Sequence, residues 1–338
     1  MTTIRMIAEK CEVSLTTVSK ALHDAPDVSE KTKQRIREVA LSMGYRPNVA
    51  AKALRTNRSY SFGIIFEEAT KQGFTHEFFS QILNSFLNRS QVLGYDVFFL
   101  GDSLGGRSIR YAEHADYRNC DGILVIAASN IITGIVDDVR KSSCPIVCLD
   151  YETEGISSIC SDNRQGMHDL MAYIASQGHR RVAFLHGEDT PVTRTRVETF
   201  RTESEALGFS TDPAYLRQVR YHDPHLCQKA FGELLALPTP PTCIMLPDDI
   251  SAFGALNECH RQHLRIPEDI CLTGYDGISL SEYLVPHLTT LRQDAESMGA
   301  SAADILAGHA GAGRPTEPVH CLVPGILIPG ETVCRIPS

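Results

Sequence analysis

Val13-Ser14-Leu15-Thr16-Thr17-Val18-Ser19-Lys20-Ala21-Leu22 is the stretch on which the reading of this chain turns. Ser14 carries a side-chain oxygen suited to closing a helix N-terminus, and Val18, Ala21 and Leu22 then share one inward stripe. Leu15, Thr16 and Lys20 fall off that stripe and are free to meet a DNA major groove. Upstream, Thr3 caps a short helix over residues 4–10 with Ile4, Ile7 and Ala8 on one face, and Glu12-Val13-Ser14 breaks it before the second begins. Downstream, Ser29 opens a third helix in which Ile36, Val39, Ala40 and Met43 recur at helical spacing, and Gly44 offers a left-handed stop. The spacing therefore predicts a three-helix DNA-reading module. Residues 45–56 add a helix-prone stretch too short to be stable alone.

Charge supports this division. The 338-residue chain has a formal net charge of −9, which would argue against nucleic acid if it were evenly spread. Residues 1–60, however, hold 11 Lys/Arg against 6 Asp/Glu, a net +5, and the remainder holds 21 against 35, a net −14. The length leaves room for a two-lobed body behind a small head. The 11 cysteines are odd in number and several lie in apolar runs such as Cys144-Pro145-Ile146-Val147-Cys148, so reduced, buried thiols are expected. Cys259, His260 and His263 lack a second ligand pair at zinc spacing, and no metal or cofactor is expected. No apolar signal core opens the chain and no run approaches the roughly 18 apolar residues of a membrane span, so a cytoplasmic protein without membrane partners is expected. An exported sugar-binding protein, the nearest rival architecture, would need a leader and would have no use for the head. No phosphate loop, nucleophile elbow, His-Glu-x-x-His or Gly-x-Gly-x-x-Gly follows a strand where an enzyme would carry it, and catalysis is not expected.

From residue 62 short apolar runs alternate with helical stretches. Strands are expected at 62–66, 95–100, 122–126 and 145–150, with helices at 77–93, 109–117 and 132–140, and 101–106 as a connecting loop. Continuous apolar strands separated by helices imply a parallel sheet covered on both faces. The pattern repeats with helices at 164–176, 194–207, 226–237, 250–263 and 295–307. The matching strands are 182–186, 242–246, 270–275 and 288–291, and a terminal stretch at 319–328 remains. The fold class is therefore α/β: an N-terminal three-helix helix-turn-helix head, then two doubly wound parallel-sheet lobes. Loops at the C-terminal strand ends would face each other across a cleft, the usual ligand position in such sheets.

The order from Thr3-Ile4 through Val18-Ser19 to Gly44-Tyr45-Arg46-Pro47-Asn48 and Ala51-Lys52-Ala53-Leu54-Arg55 resembles the lactose/purine repressor (LacI/GalR) family. Asp121-Gly122-Ile123-Leu124, Gly178-His179-Arg180-Arg181-Val182, Gly274-Tyr275-Asp276 and Pro286-His287-Leu288-Thr289-Thr290-Leu291-Arg292-Gln293-Asp294 extend the resemblance over the whole chain. It implies a DNA-binding domain over 1–47, a hinge helix and linker over 48–60, and an effector-binding and dimerisation domain over 61–338. The lobes of that domain resemble periplasmic sugar-binding proteins, and each is discontinuous, approximately 61–161 with 293–320 and 162–292 with 321–338.

By the same resemblance Leu15 and Thr16 take the first base-reading positions, and Lys20 stands where the family usually has arginine. Lysine can donate to guanine O6/N7, although as a flexible point charge and not a planar fork. The alternative for Leu15 is a place in the core. Ser14, Thr17, Ser19, Lys31 and Lys33 are phosphate-contact candidates, with plain solvation as the alternative for the two lysines. Glu12 occupies a turn position where the family has glycine, and Lys10 one where leucine is common, departures that bear on DNA affinity. Leu54 matches the residue that paired hinge helices wedge into the minor groove, with Lys52 and Arg55 beside it.

In the cleft, the resemblance places Arg196 on effector oxygens, Asp276 on effector hydroxyls and Asp248 at a further polar contact. Phe78, Phe79, Tyr151 and His225 would supply ring faces, with one of the adjacent phenylalanines turned to the core. Asp150 is a contact or a loop cap, Asp249 is read as the cap of the helix at 250–263, and Asp162 and Asn163 as caps at the hinge. The reading implied is a ligand-responsive transcriptional regulator, a repressor of carbohydrate-use genes, binding a pseudo-palindromic operator as a homodimer and sensing a small sugar. A ligand-independent or purine-type corepressor-dependent regulator is the alternative. No leucine heptad follows residue 328, so a dimer and not a tetramer is expected.

Overall fold

The computed structural model describes residues 2–45, 58–67, 73–127, 129–313, 315 and 317–336. The chain divides into two compact units, Met1–Ser59 and Tyr60–Ser338.

The first unit contains helices Ile4–Cys11, Leu15–Leu22 and Glu30–Ser42, entered through Thr3, Ser14 and Ser29, whose side-chain oxygens accept from the amides of Met6, Thr17 and Thr32. Each cap satisfies a donor that the helix start would otherwise leave open. Ile7, Ala8, Cys11, Val18, Ala21, Ile36 and Ala40 form the buried centre. A core this small leaves little margin, so local features count. Glu12 adopts φ 52° in the turn, the left-handed conformation that glycine takes without cost, and Gly44 takes φ 63° at the end of the third helix.

The second unit is built on two parallel sheets. Strands β1 (Ser61–Glu67), β2 (Asp96–Phe99), β5 (Gly122–Ala127), β6 (Ile146–Leu149), β7 (Ser157–Ser161) and β13 (His320–Val323) form the first in the order β13-β7-β6-β5-β1-β2. Between them β3 (Ser103–Leu104) and β4 (Arg107–Ser108) make a two-stranded hairpin through Gly105 and Gly106, both at positive φ, where a plain loop was expected. Helices Glu77–Val92 and Ala295–His309 cover one face of the sheet, burying Phe62, Ile82, Phe86, Met298 and Leu306. On the other face Ala115, Ile132, Ile135 and Val139 from helices Tyr111–Arg118 and Ser129–Val139 pack on Ile65, Ile123 and Val125. The two covering helices on the first face meet closely: a Cβ at Gly299 would lie 2.3 Å from the Ile82 carbonyl oxygen.

The second sheet runs β11 (Cys271–Thr273), β10 (Cys243–Met245), β8 (Val182–His186), β9 (Leu216–Gln218). Helices Asn163–Ser176 and Pro191–Leu207 lie on one side and Pro224–Leu235 and Ala252–Gln262 on the other. Strands β12 (Thr290–Arg292) and β14 (Ile326–Ile328) pair antiparallel beside this lobe. The chain thus passes between lobes three times, and both lobes are discontinuous. The third passage falls after Val323 and not after 320, because His320–Val323 completes the first sheet against Ser158–Ser161. The terminal stretch at 319–328 forms two strands broken at Pro324-Gly325. Besides the β3–β4 hairpin, Ser157–Ser161 and Leu216–Gln218 escaped the reading, since neither is an apolar run.

Candidate functional site

In the first unit the recognition helix Leu15–Leu22 presents Leu15, 52% exposed, together with Thr16 and Lys20, while Val18 and Ala21 are buried. Leu15 is therefore not a core residue. Ser14 Oγ, besides accepting from the Thr17 amide at 3.0 Å, is 2.8 Å from Thr17 Oγ1, so the cap fixes the first turn of the helix's exposed surface. Ser19 is half-buried, and Lys31 is exposed. Lys20 is ion-paired with Asp27.

Lys33 does not join this surface. Its side chain is buried, with Nζ 2.7 Å from Glu30 and 3.0 Å from Asp24, and hydrogen bonds to Glu30 and Asp24 hold it above the ordinary lysine range. The phosphate contact expected of Lys33 is withdrawn: it is an internal clamp between the loop after the recognition helix and the third helix. Lys33→Met is expected to accelerate amide exchange throughout residues 4–42 of the full chain and to spare the body. Lys20→Ala should leave exchange unchanged and flatten preference at one base pair of each half-site, by about 1–3 kcal/mol. Exchange read by mass spectrometry, with binding to a randomised duplex library, separates the two. Lys52, Leu54 and Arg55 lie outside the described residues.

In the second unit the strand ends of the two lobes converge on Arg196. This residue sits on the second turn of Pro191–Leu207, a helix capped by Thr190 with Pro191 in its first turn. Its guanidinium is buried and held on three sides. Nε donates to Asn163 Oδ1 at 2.7 Å, Nη1 to the Pro247 carbonyl at 3.3 Å, and the group lies 3.5 Å above the Tyr275 ring. Tyr275 in turn donates to Asn163 Oδ1 at 3.2 Å, and it fits beneath because residue 166 is glycine, where a Cβ would come within 2.7 Å of the Tyr275 hydroxyl. Asn163, read from sequence only as a helix cap, is thus the residue that aims the arginine.

Two carboxylates lie in the electrostatic field of Arg196. Asp150, at the end of β6, accepts from the Ser161 amide, and Asp276, following β11, accepts from Gln293 Nε2 at 2.7 Å. Both take positive φ, 49° and 104°, so neither is a relaxed loop residue. Burial pushes Asp150 up to about 6, against the Ser161 amide and Arg196. Burial likewise pushes Asp276 up to about 6, against Arg196 and His222. For Arg196, burial is outweighed by Tyr275, Tyr221, Asp276 and Asp150, and its guanidinium stays charged.

The remaining expectations divide. Phe78 is buried in the first-lobe core and Phe79 is half-buried, its ring 4.5 Å from that of His76. Tyr151 is half-buried with its hydroxyl 3.2 Å from Thr133 Oγ1. His225 is exposed on the first turn of Pro224–Leu235; the imidazole in the cleft is His222, whose ring stands edge-on to His76 of the other lobe at 4.1 Å. Asp248 takes the helix-start part expected of Asp249. Asp248 accepts from the Ser251 amide at 2.8 Å, as a helix-start residue does, and from the His222 amide at 2.9 Å. Asp249 instead accepts from Thr290 Oγ1 and the Ile278 amide, tying the helix start to the interlobe strands. Glu77 spans the lobes by accepting from the Ser279 amide and hydroxyl at 2.8 and 3.0 Å.

A helix-turn-helix unit followed by a cleft of this kind defines a DNA-binding regulator whose body is a small-molecule receptor. Residues 3–48 match the family model for bacterial regulatory proteins of the lacI family, and residues 171–333 match the periplasmic binding protein-like domain. The probable HTH-type transcriptional repressor ExuR of Bacillus subtilis (strain 168) is 30% identical over 309 residues, spanning 90% of this chain and 91% of that one. The HTH-type transcriptional repressor CytR of Escherichia coli (strain K12) is 27% identical, spanning 90% and 88%. Among solved structures, the lac repressor dimer bound to operator and the anti-inducer ONPF superposes with a TM-score of 0.80 at 22% identity, covering 98% of this chain and 99% of that one. A transcriptional regulator CelR–cellobiose complex gives 0.69 at 22% identity over 98% and 100%. The chain belongs to the LacI family of bacterial regulatory proteins. Among the described residues no helix is long and apolar enough to cross a membrane.

Proposed function

We propose that this chain is a cytoplasmic, homodimeric, non-enzymatic repressor of carbohydrate-use genes, released from or fixed to a pseudo-palindromic operator by an uncharged, hydroxyl-rich effector in the cleft. The observation that carries this reading is the buried Arg196 set on Tyr275 between Asp150 and Asp276. A guanidinium donates to ring and hydroxyl oxygens while carboxylates accept from vicinal hydroxyls, the donor and acceptor set of a sugar. The sugar-bound relatives named above support it, as does the operator-bound dimer, because one small head reads only a few base pairs and two are needed for tight specific binding. Leu15, Thr16 and Lys20 read bases, Ser14, Thr17, Ser19 and Lys31 position the head on phosphates, and Leu54 with Lys52 and Arg55 engages the minor groove. Phe79, Tyr151 and His222 line the effector, with Asp248 bracing His222.

Closure of the lobes on the ligand supplies the coupling. His76 on His222 and Glu77 on Ser279 are contacts that exist only when the lobes are together. A ligand bridging Asp150 and Asp276 favours that arrangement, and its preference for one lobe arrangement is the energy available to change DNA affinity. The test is a thermal-shift panel of neutral sugars, uronates and nucleobases on the full chain. A ligand at about 100 times its Kd raises stability by about 2.7 kcal/mol, and a hit confined to nucleobases would overturn the sugar reading in favour of a purine-type corepressor.

The carboxylates also predict a pH dependence. With no ligand, burial favours the protonated forms of Asp150 and Asp276, both near 6. Hydroxyls that donate to the ionised forms pull both groups down, so binding releases protons. Effector affinity should be steady above pH 7 and fall progressively as pH drops through 6, by up to about tenfold per pH unit for each carboxylate that must ionise. Calorimetry in two buffers of different ionisation enthalpy at pH 6 measures the release; proton uptake would contradict the arrangement.

A further inference from the structure

The head is nearly neutral by itself. Residues 2–45 contain 7 Lys/Arg and 6 Asp/Glu, so the positive excess of residues 1–60 comes largely from Arg46, Lys52, Arg55 and Arg58. Three of the six carboxylates are paired with other basic side chains. Asp24 and Glu30 hold the buried Lys33, Asp24 also meets Arg37 at 2.8 Å, and Glu9 is 3.5 Å from Arg5 on the same helix. Asp27 is placed differently. The loop after the recognition helix folds back, with the Ala25 amide donating to the Lys20 carbonyl at 3.0 Å, and this brings the Asp27 carboxylate onto the Lys20 ammonium. The side chains of Lys20 and Asp27 are 46% and 54% exposed, so burial does not lock the pair and another anion or acceptor can displace it.

We infer that Asp27 is an intramolecular competitor for the DNA at Lys20, setting both operator affinity and the sharpness of base preference at the position Lys20 reads. The inference rests on Lys20 being a base-reading residue. For its ammonium to reach guanine O6/N7 the pair must open, and the released carboxylate then remains beside the phosphates, where its charge is unfavourable. At a base pair with no suitable acceptor Lys20 can return to Asp27 without losing a partner. The pair therefore weakens binding most at the best sequences and least at the poorer ones.

The test uses the full-length chain and the duplex it selects from a randomised library, with four proteins: wild type, Asp27→Asn, Lys20→Met and the double variant. Asp27→Asn keeps the size and removes the charge. It is expected to tighten binding to the selected duplex about threefold per head, hence about tenfold for a two-headed complex, the scale of an exposed ion pair. It should also increase discrimination at the base pair that Lys20→Met renders indifferent. In the Lys20→Met background the same change should alter affinity less than about twofold, because the competitor has nothing left to compete for. An equal gain in both backgrounds would show that Asp27 acts only as a charge near phosphates, and no gain in either would show that the pair costs nothing; either result overturns the inference. A Lys20→Met variant with undiminished base preference would instead remove the base-reading role on which the inference stands.

Discussion

Arg196→Met is expected to abolish effector binding, lowering affinity by about 10²–10³-fold, while effector-free operator binding stays within about twofold of wild type. The side chain is 4% exposed, with Nε held by Asn163 and Nη1 by the Pro247 carbonyl, so the variant removes a buried cation from beside two carboxylates together with the remaining N–H donors offered to the effector. Breaking a buried, hydrogen-bonded charge arrangement by removing one member typically costs about 3–5 kcal/mol, because the other members remain buried and uncompensated. Here those members are Asp150 and Asp276, which without Arg196 rise further above about 6 and protonate. The body should therefore lose stability at pH 7.5 and recover part of it at pH 5.5, the sign expected when the folded state binds its carboxyl protons more tightly than the unfolded chain does. Thermal melts at the two pH values, with calorimetric titration of the effector, check both halves. Unchanged effector affinity would remove Arg196 from the binding site.

The second large effect concerns the division at Ser59/Tyr60. Residues 60–338 alone should fold, bind effector as the full chain does and remain dimeric. Their affinity for operator should fall by at least about 10³-fold, the smallest usual gap between specific and non-specific binding. The body keeps both sheets, their helical covers and the three interlobe passages, and it carries the net negative part of the charge. Gel-shift and light-scattering measurements decide it; retained sequence-specific binding by the truncated chain would contradict the assignment of the head.

The head was legible in the sequence almost residue by residue, since capping oxygens, a four-residue apolar spacing and a left-handed stop are local signals. The left-handed backbone at Glu12 was signalled by the family resemblance, which has glycine at that turn position. Charge partnerships were not legible. Lys20 and Lys33 look alike on a helix, and only the path of the loop from His23 to Ser29 sends Asp24 to one and Asp27 to the other. In the body, strands buried on both faces announced themselves as apolar runs, whereas Ser157–Ser161 hides its role because serine side chains line its buried faces. Arg196 and Asp276 were singled out by the family resemblance, whereas Asp150 was left open between a contact and a loop cap. The residues that aim the arginine were not singled out: Asn163 and Tyr275 act through contacts 33 and 112 positions apart in the chain. The placing of His225 and of Asp249 failed for one reason: each stands at the start of a helix, where a change of one to three positions moves a side chain between the interlobe face, the helix start and solvent.

The central claim is that occupancy of the cleft changes DNA affinity, and one titration addresses it directly. The full-length chain is bound to its selected duplex with and without a saturating cleft ligand, in parallel with Arg196→Met. The account predicts a shift in operator affinity of about 5–150-fold for the wild type, the range of a coupling energy of 1–3 kcal/mol, and no shift for the variant. A wild-type protein that binds the ligand yet holds operator with unaltered affinity would contradict it.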